Sequence, residues 1–188
     1  MASDPNTTLS GNINGGVSGT YAQPVTGLTA GPSVSLPDTV RIQFTTGTNG
    51  SYEANKMWLQ YNTLAGGANT TLVLTTLVDQ LNLDLNFARV KGFHVHLIST
   101  DDSSTLGSNA TSILVGNHSS NQALAGNATY GMMSANSSIR VQNGGFLTIG
   151  TPSADGVLVD NTHKNLFIVN EDASNTAKFY VGFIGADS

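Results

Sequence analysis

Thr39-Val-Arg-Ile-Gln-Phe-Thr-Thr46 alternates residue by residue, with Val40, Ile42 and Phe44 on one side and Arg41 and Gln43 on the other. A period of two sends successive side chains to opposite faces, so this stretch reads as a half-buried strand. Residues 47–50, Gly-Thr-Asn-Gly, are its turn. The same pattern continues outward through Met57-Trp-Leu-Gln-Tyr61 and through residues 70–78, with Gly66-Gly67 between them. Residues 77–81 read as one short helical turn. Residues 82–98 form the longest strand-like region: Leu83, Leu85 and Phe87 alternate, then Val90, Phe93, Val95 and Leu97. The change of phase near Ala88 and Gly92 predicts a bulge or bend.

The second half repeats the theme in short pieces. Residues 112–115, 137–141, 145–149, 156–159, 166–169 and 178–184 are each expected to be strands. Asn143-Gly144 is a hairpin signal, because a type I′ turn needs positive φ at both central residues, and Asp155-Gly156 is a second. Phe87, Phe93, Phe146, Phe167 and Phe183 fall on apolar phases and are expected in the core. Turn signals about every ten residues favour a sandwich over alternating strand–helix units.

Composition agrees. Of 188 residues, 19 are Asn, 19 Ser and 22 Thr, and 21 more are Gly. Short polar side chains compete with the backbone for hydrogen bonds, which disfavours helix interiors and favours turns and strand edges. Charged residues make up only 10% of the chain, against about 25% in ordinary domains. Such a surface suits contact with other protein surfaces. Seven cations against twelve carboxylates leave a net charge of −5, which makes nucleic-acid binding through a basic face unexpected. The absence of cysteine removes disulfides, thiolate metal sites and thiol nucleophiles. The start, Met-Ala-Ser-Asp-Pro-Asn-Thr-Thr, encodes neither a basic nor an apolar export region. No apolar run approaches the roughly 18 residues of a membrane span.

Residues 1–36 are expected to form an extended Gly/Ser/Asn-rich arm with a proline-containing linker, and residues 37–188 the folded domain. In the arm, Leu9, Ile13, Val17 and Tyr21 recur every four residues, but Gly11, Gly15, Gly16 and Gly19 between them oppose a helix. Pro24, Pro32 and Pro37 are expected to interrupt pairing. Those four apolar residues are the candidate partner-binding set, acting by strand addition to a neighbouring subunit or lattice.

Chemistry-bearing residues are sparse. His94 and His96 flank Val95 and share a strand face, as a metal pair would, but closure would need His118, His163, Asp101 or Asp102. Asp101-Asp102, Asp155 with Asp160, and Glu171-Asp172 are acidic clusters without the calcium-loop pattern, and they read as turn residues. No nucleophile elbow, phosphate loop or dinucleotide fingerprint occurs. No catalytic residue, metal or cofactor is expected. Trp58, Tyr61 and the remaining tyrosines, Tyr130 among them, are the candidate surfaces for stacking a sugar.

From Leu72 onward the chain resembles small β-rich virion structural proteins of tailed phages and prophages. The resemblance is carried by Phe87-Ala-Arg-Val-Lys-Gly-Phe93, Leu114-Val-Gly-Asn117, Ile139-Arg-Val-Gln-Asn-Gly-Gly-Phe-Leu147, Ala154-Asp-Gly-Val157, Leu166-Phe-Ile-Val-Asn170 and Tyr180-Val-Gly-Phe-Ile-Gly185. Similar sequences often have Pro where this chain has Asn143, and an aromatic segment where it has residues 125–133. The resemblance implies a non-enzymatic virion protein made in the host cytoplasm. The turn spacing and the N-terminal composition together make the expected fold an antiparallel β-sandwich of jelly-roll type with an extended N-terminal arm. Within that class the expected role is a capsid decoration or cement protein that binds the major capsid protein and itself, as a homotrimer, without nucleic acid or membrane. A receptor- or glycan-binding module on a tail or fibre is the alternative.

Overall fold

The computed structural model describes residues 9, 11–22, 33–78, 84–101, 103–116, 120–124, 133–134 and 137–188, with the backbone alone for 11, 15–22 and 33–40. The protein is all-β, with several antiparallel sheets and no helix among the described residues. In chain order the strands are β1 (Gly11–Ala22), β2 (Ser33–Thr46), β3 (Glu53–Ala54), β4 (Lys56–Leu64), β5 (Asn69–Val73), β6 (Leu77–Val78) and β7 (Asp84–Leu85). They continue with β8 (Arg89–Leu97), β9 (Ser112–Gly116), β10 (Ser138–Gln142), β11 (Phe146–Gly150), β12 (Val157–Leu158), β13 (Asn165–Asn170) and β14 (Ala177–Ala186).

A five-stranded and a four-stranded sheet carry the core. One runs β11-β8-β14-β4, with β12 on β8, and the other runs β10-β9-β13-β5. Alternation supplies the facing surfaces. Phe93, Val95, Leu97, Phe179, Val181 and Phe183 come from the first sheet, and Ile113, Val115, Val141, Leu166 and Ile168 from the second, all in one buried cluster. Phe183 is its aromatic centre, with ring centroids 5.4 Å from Phe93, 5.8 Å from Trp58 and 6.1 Å from Phe87. These offset and tilted contacts suit the quadrupoles of the rings. Asn170 is a polar member of the buried interior. It is fully buried, its Nδ2 donates to the carbonyls of Leu64, Ala65 and Asn175, and its Oδ1 accepts from Asp172 N–H.

The expected change of phase in the long strand-like region is a bulge at Lys91. Gly92 lies opposite Ile184 and Val90 opposite Gly185, so Lys91 is the extra residue. Its side chain is fully buried, and Nζ donates to Gly50 O at 2.9 Å. Burial pushes the ammonium's pKa down, and the Glu53 carboxylate only partly opposes this.

The N-terminal segment pairs with the domain rather than running alone. β1 and β2 form a twelve-rung antiparallel ribbon from Gly11↔Phe44 to Ala22↔Ser33. β2 runs without a break through Pro37, which lies opposite Ser18. Among the described residues β2 has β1 on one side only along that stretch, the kind of edge position in which a strand can hold a proline. Pro24 and Pro32 lie outside the described residues. At its base the ribbon joins the body: Leu9, Ile13 and Ile42 pack on Phe44, Ala54 and Ile184. Thr45 and Thr46 pair in parallel with Glu53 and Ala54.

Three local expectations give way to tertiary context. Asn143-Gly144 does not close a hairpin, because β10 pairs with β9 and β11 with β8. Only Gly144 has positive φ, and Gly145 N–H reaches Gln142 O at 2.8 Å, as in a type II turn. Asn143 is committed elsewhere, its Nδ2 donating to Ser108 O and Ala110 O. Leu77 and Val78 are paired with Leu85 and Asp84 instead of coiling into a helical turn; residues 79–81 lie outside the described residues. Phe146 and Phe167 are not in the core: Phe146 is 66% exposed, and Phe167 is half-buried on the face opposite Leu166 and Ile168.

Candidate functional site

The outer face of the β11-β8-β14-β4 sheet is assembled by register. Its first row is Gly150, Gly92, Ile184 and Met57, its second Thr148, His94, Gly182 and Leu59, and its third Phe146, His96, Tyr180 and Tyr61. In a half-solvated antiparallel sheet this face should be polar. Here it carries three glycines, four aromatic or imidazole rings in one row, and two exposed aliphatics, Met57 at 51% and Leu59 at 50%.

The glycines have a structural use. A Cβ on Gly92 would collide with Ile13 Cδ1, and one on Gly150 would lie 2.6 Å from Ile42 Cδ1. β1 and β2 therefore cross this face because the floor beneath them lacks side chains. Ile13 divides the uncovered remainder into two grooves. One, of about 190 Å³, is apolar and lies among Met57, Leu59, Gly182 and Ile184. The other, of about 380 Å³, is lined by Asn12, Ile13, Asn14, His94, His96, Phe146 and Thr148.

The two histidines share this face as the sequence indicated, with ring centroids 6.5 Å apart. His94 Nδ1 is 2.8 Å from Thr148 Oγ1, and burial, reinforced by the neighbouring His96, holds its pKa below the usual imidazole value. Among the described residues no group of three His, Asp or Glu side chains is arranged to hold a metal. His163 lies with Asp160 and Thr162 instead, while His118 and Asp102 lie outside the described residues.

The acidic clusters hold loops. Arg89 Nη1 donates to Asp155 O, with the Asp155 carboxylate 3.8 Å away. Asp160 Oδ1 accepts from Thr162 N–H and Oγ1–H, which lowers its pKa. Glu171 takes a two-pronged hydrogen bond from Arg140 and another from Ser112, and its pKa is lowered mainly by the arginine. Asp172 accepts backbone N–H groups from Ser174, Asn175 and Thr111, which bring its pKa down to about 2.

Of the stacking candidates, Trp58 is in the core, its Nε1–H donating to Val78 O at 2.9 Å. Tyr61 packs edge-on against Tyr180, with centroids 5.6 Å apart, on the outer face. Tyr130 lies outside the described residues. Phe146, read from its phase as core, is instead the most exposed ring of this face. Of the arm residues, Leu9 and Ile13 are engaged on the chain's own body, and nothing is described of the side chains of Val17 and Tyr21. Sequence reading missed the groove around Phe146, Asn12 and Asn14. The only signal was the His-x-His alternation, since the register that brings β1, β8 and β11 together is non-local.

The chain is thus an all-β protein with a ring-bearing sheet face, free of charged side chains in the three rows described, crossed by its own N-terminal ribbon. No family model, curated protein or solved structure matches it.

Proposed function

We propose that the two main sheets form a β-sandwich of jelly-roll type and that the chain is a phage virion structural protein. In this reading it decorates or cements the capsid and binds the major capsid protein and further copies of itself without catalysis. The single supporting observation is the nesting of strand pairs. Counting β4, β5, β8, β9, β10, β11, β13 and β14 as first to eighth, the first pairs with the eighth, the second with the seventh, the third with the sixth and the fourth with the fifth. The eighth then joins the third and the seventh joins the fourth. That order supports the reading of one long ribbon of nested hairpins rolled into two sheets, as in the double Greek key of capsid-type domains.

Attachment in this reading runs through the β1–β2 ribbon. β1 is an edge strand among the described residues, so its outer side can accept a strand from a neighbour, and repetition on a lattice multiplies weak contacts. The glycan-binding alternative drew on Trp58 and the tyrosines, and the burial of Trp58 removes the first of these platforms. The test is to excise residues 16–39 and rejoin Gly15 to Val40 through an Asn-Gly turn, leaving the Ile13 seat intact. The full chain is expected to load onto particles purified without it, with homotrimers visible by sedimentation, and the shortened chain to stay folded but unattached. Equal loading by both would overturn the role of the ribbon, and failure of the full chain to load would overturn the decoration reading.

A further inference from the structure

The larger groove, where β1 crosses β8 and β11, has a lining that selects a ligand class. It presents carboxamides from Asn12 and Asn14, a hydroxyl from Thr148, imidazoles from His94 and His96, and the exposed ring of Phe146. None of these side chains is a carboxylate, an ammonium or a guanidinium. A cationic ligand would find no counter-charge in this lining, and a phosphate or carboxylate no cation within it. Arg41, exposed beside Asn12, is already engaged, donating through Nε and Nη2 to Asn12 Oδ1. That contact leaves the Asn12 amide N–H groups as its remaining hydrogen-bonding capacity. A purely aliphatic ligand would desolvate the exposed carboxamides of Asn12 and Asn14 without replacing their bonds to water. A molecule with one apolar C–H face and a rim of hydroxyls satisfies both kinds of wall.

We propose that this groove binds a neutral carbohydrate. One sugar ring lies with its C–H face on Phe146, and its hydroxyls exchange hydrogen bonds with Asn12, Asn14, Thr148 and the imidazoles. A volume of about 380 Å³ lies within the roughly 300–1,000 Å³ of small-molecule sites. Register gives the site direction. From Phe146 the same row continues through His96 to Tyr180 and Tyr61, three strand spacings of about 4.8 Å each. The rings after Phe146 each carry an N–H or O–H group, so further residues of an oligosaccharide follow the row across the sheet. The site does not depend on where the chain sits in a particle, and the ribbon excision above leaves Asn12, Asn14 and Phe146 in place.

The experiment is an NMR titration of the full chain with neutral tetrasaccharides of glucose, N-acetylglucosamine, galactose and mannose, followed at the His94 and His96 ring protons, together with a glycan array. At least one neutral glycan is expected to give saturable shifts. Phe146→Ala should weaken that binding tenfold or more, Phe146→Tyr should restore it, and Asn14→Ala or Tyr180→Ala should weaken it several-fold, all with unchanged thermal unfolding. Silence of every neutral glycan would overturn the proposal, as would binding indifferent to Phe146→Ala. Loss of self-association rather than glycan binding in Phe146→Ala would show that a second copy covers this face, and would equally overturn it.

Discussion

Replacing Gly92 by alanine probes the joint between the ribbon and the sheet. The added methyl would occupy the position of Ile13 Cδ1, and Ile184 Cβ, 3.6 Å away, limits escape on that side. Ile13 must therefore leave its seat among Ile42, Phe44 and Ile184. Full burial of an isoleucine side chain stabilises by about 1.5–3 kcal/mol. Ile13 is half-buried, so its expulsion costs about 1–1.5 kcal/mol on the same scale. Alanine in place of a strand glycine returns about 0.5–1 kcal/mol by restricting the unfolded chain. Global stability should therefore fall by less than about 1 kcal/mol. The propensity gain is present whether the ribbon is seated or lifted, so it does not protect the joint. Opening of the ribbon should rise roughly 5- to 12-fold. Limited trypsin cleavage at Arg41 and hydrogen exchange along β1 read that opening, while urea unfolding reads the whole domain. In an Ile13→Ala background the same glycine substitution should cost nothing, because the colliding atom is gone. Unchanged ribbon opening in Gly92→Ala, or an equal penalty in both backgrounds, would refute the reasoning.

Other consequences are directly measurable. Asn170→Ala leaves three carbonyls and one N–H without their partner in a buried corner, and urea denaturation should show a loss of about 3 kcal/mol. Lys91→Met keeps the volume but removes a buried ammonium whose charged form is disfavoured; equilibrium unfolding at pH 7 should show equal or greater stability. His94 has its folded pKa held below the ordinary imidazole value of 6.5 by burial and by the neighbouring His96, so the folded state takes up its proton less readily than the unfolded chain. That contribution is complete above 6.5 and is lost as pH falls through the lower folded value, so the melting temperature should drop on acidification and His94→Gln should flatten the drop. Asp172 is held at about 2 against 3.8. Its contribution is present above 3.8 and disappears as pH falls toward 2, and Asp172→Ala should shift acid unfolding to higher pH.

Residue order alone announced the strands and much of the core. Ile42 and Phe44 turn inward while Arg41 and Gln43 turn out. Alternation across residues 165–170 is buried at every second position, and the phase change before Gly92 is a real bulge. Such features depend on neighbours within a few positions, and side-chain periodicity records them directly. It also showed that His94 and His96 share a face, because two residues apart on a strand is a local relation.

Pairing was another matter. Nothing near Asn143 told that its carboxamide would be taken by carbonyls some 35 and 33 positions away, turning an expected hairpin into a crossing between sheets. Phe146 and Trp58 both sit on apolar phases, yet one faces solvent and the other the core. Which face of a sheet is covered depends on the second sheet and on the ribbon, not on the strand itself. The groove beside Phe146 exists because residues 12–14, 94–96 and 146–148 meet across long sequence separations over a glycine floor. The sequence determined an all-β chain poor in charge and rich in short polar groups. Tertiary structure decided which rings would face out and which amides would stand beside them, because non-local hydrogen-bond register and the packing of one layer on another set those neighbours.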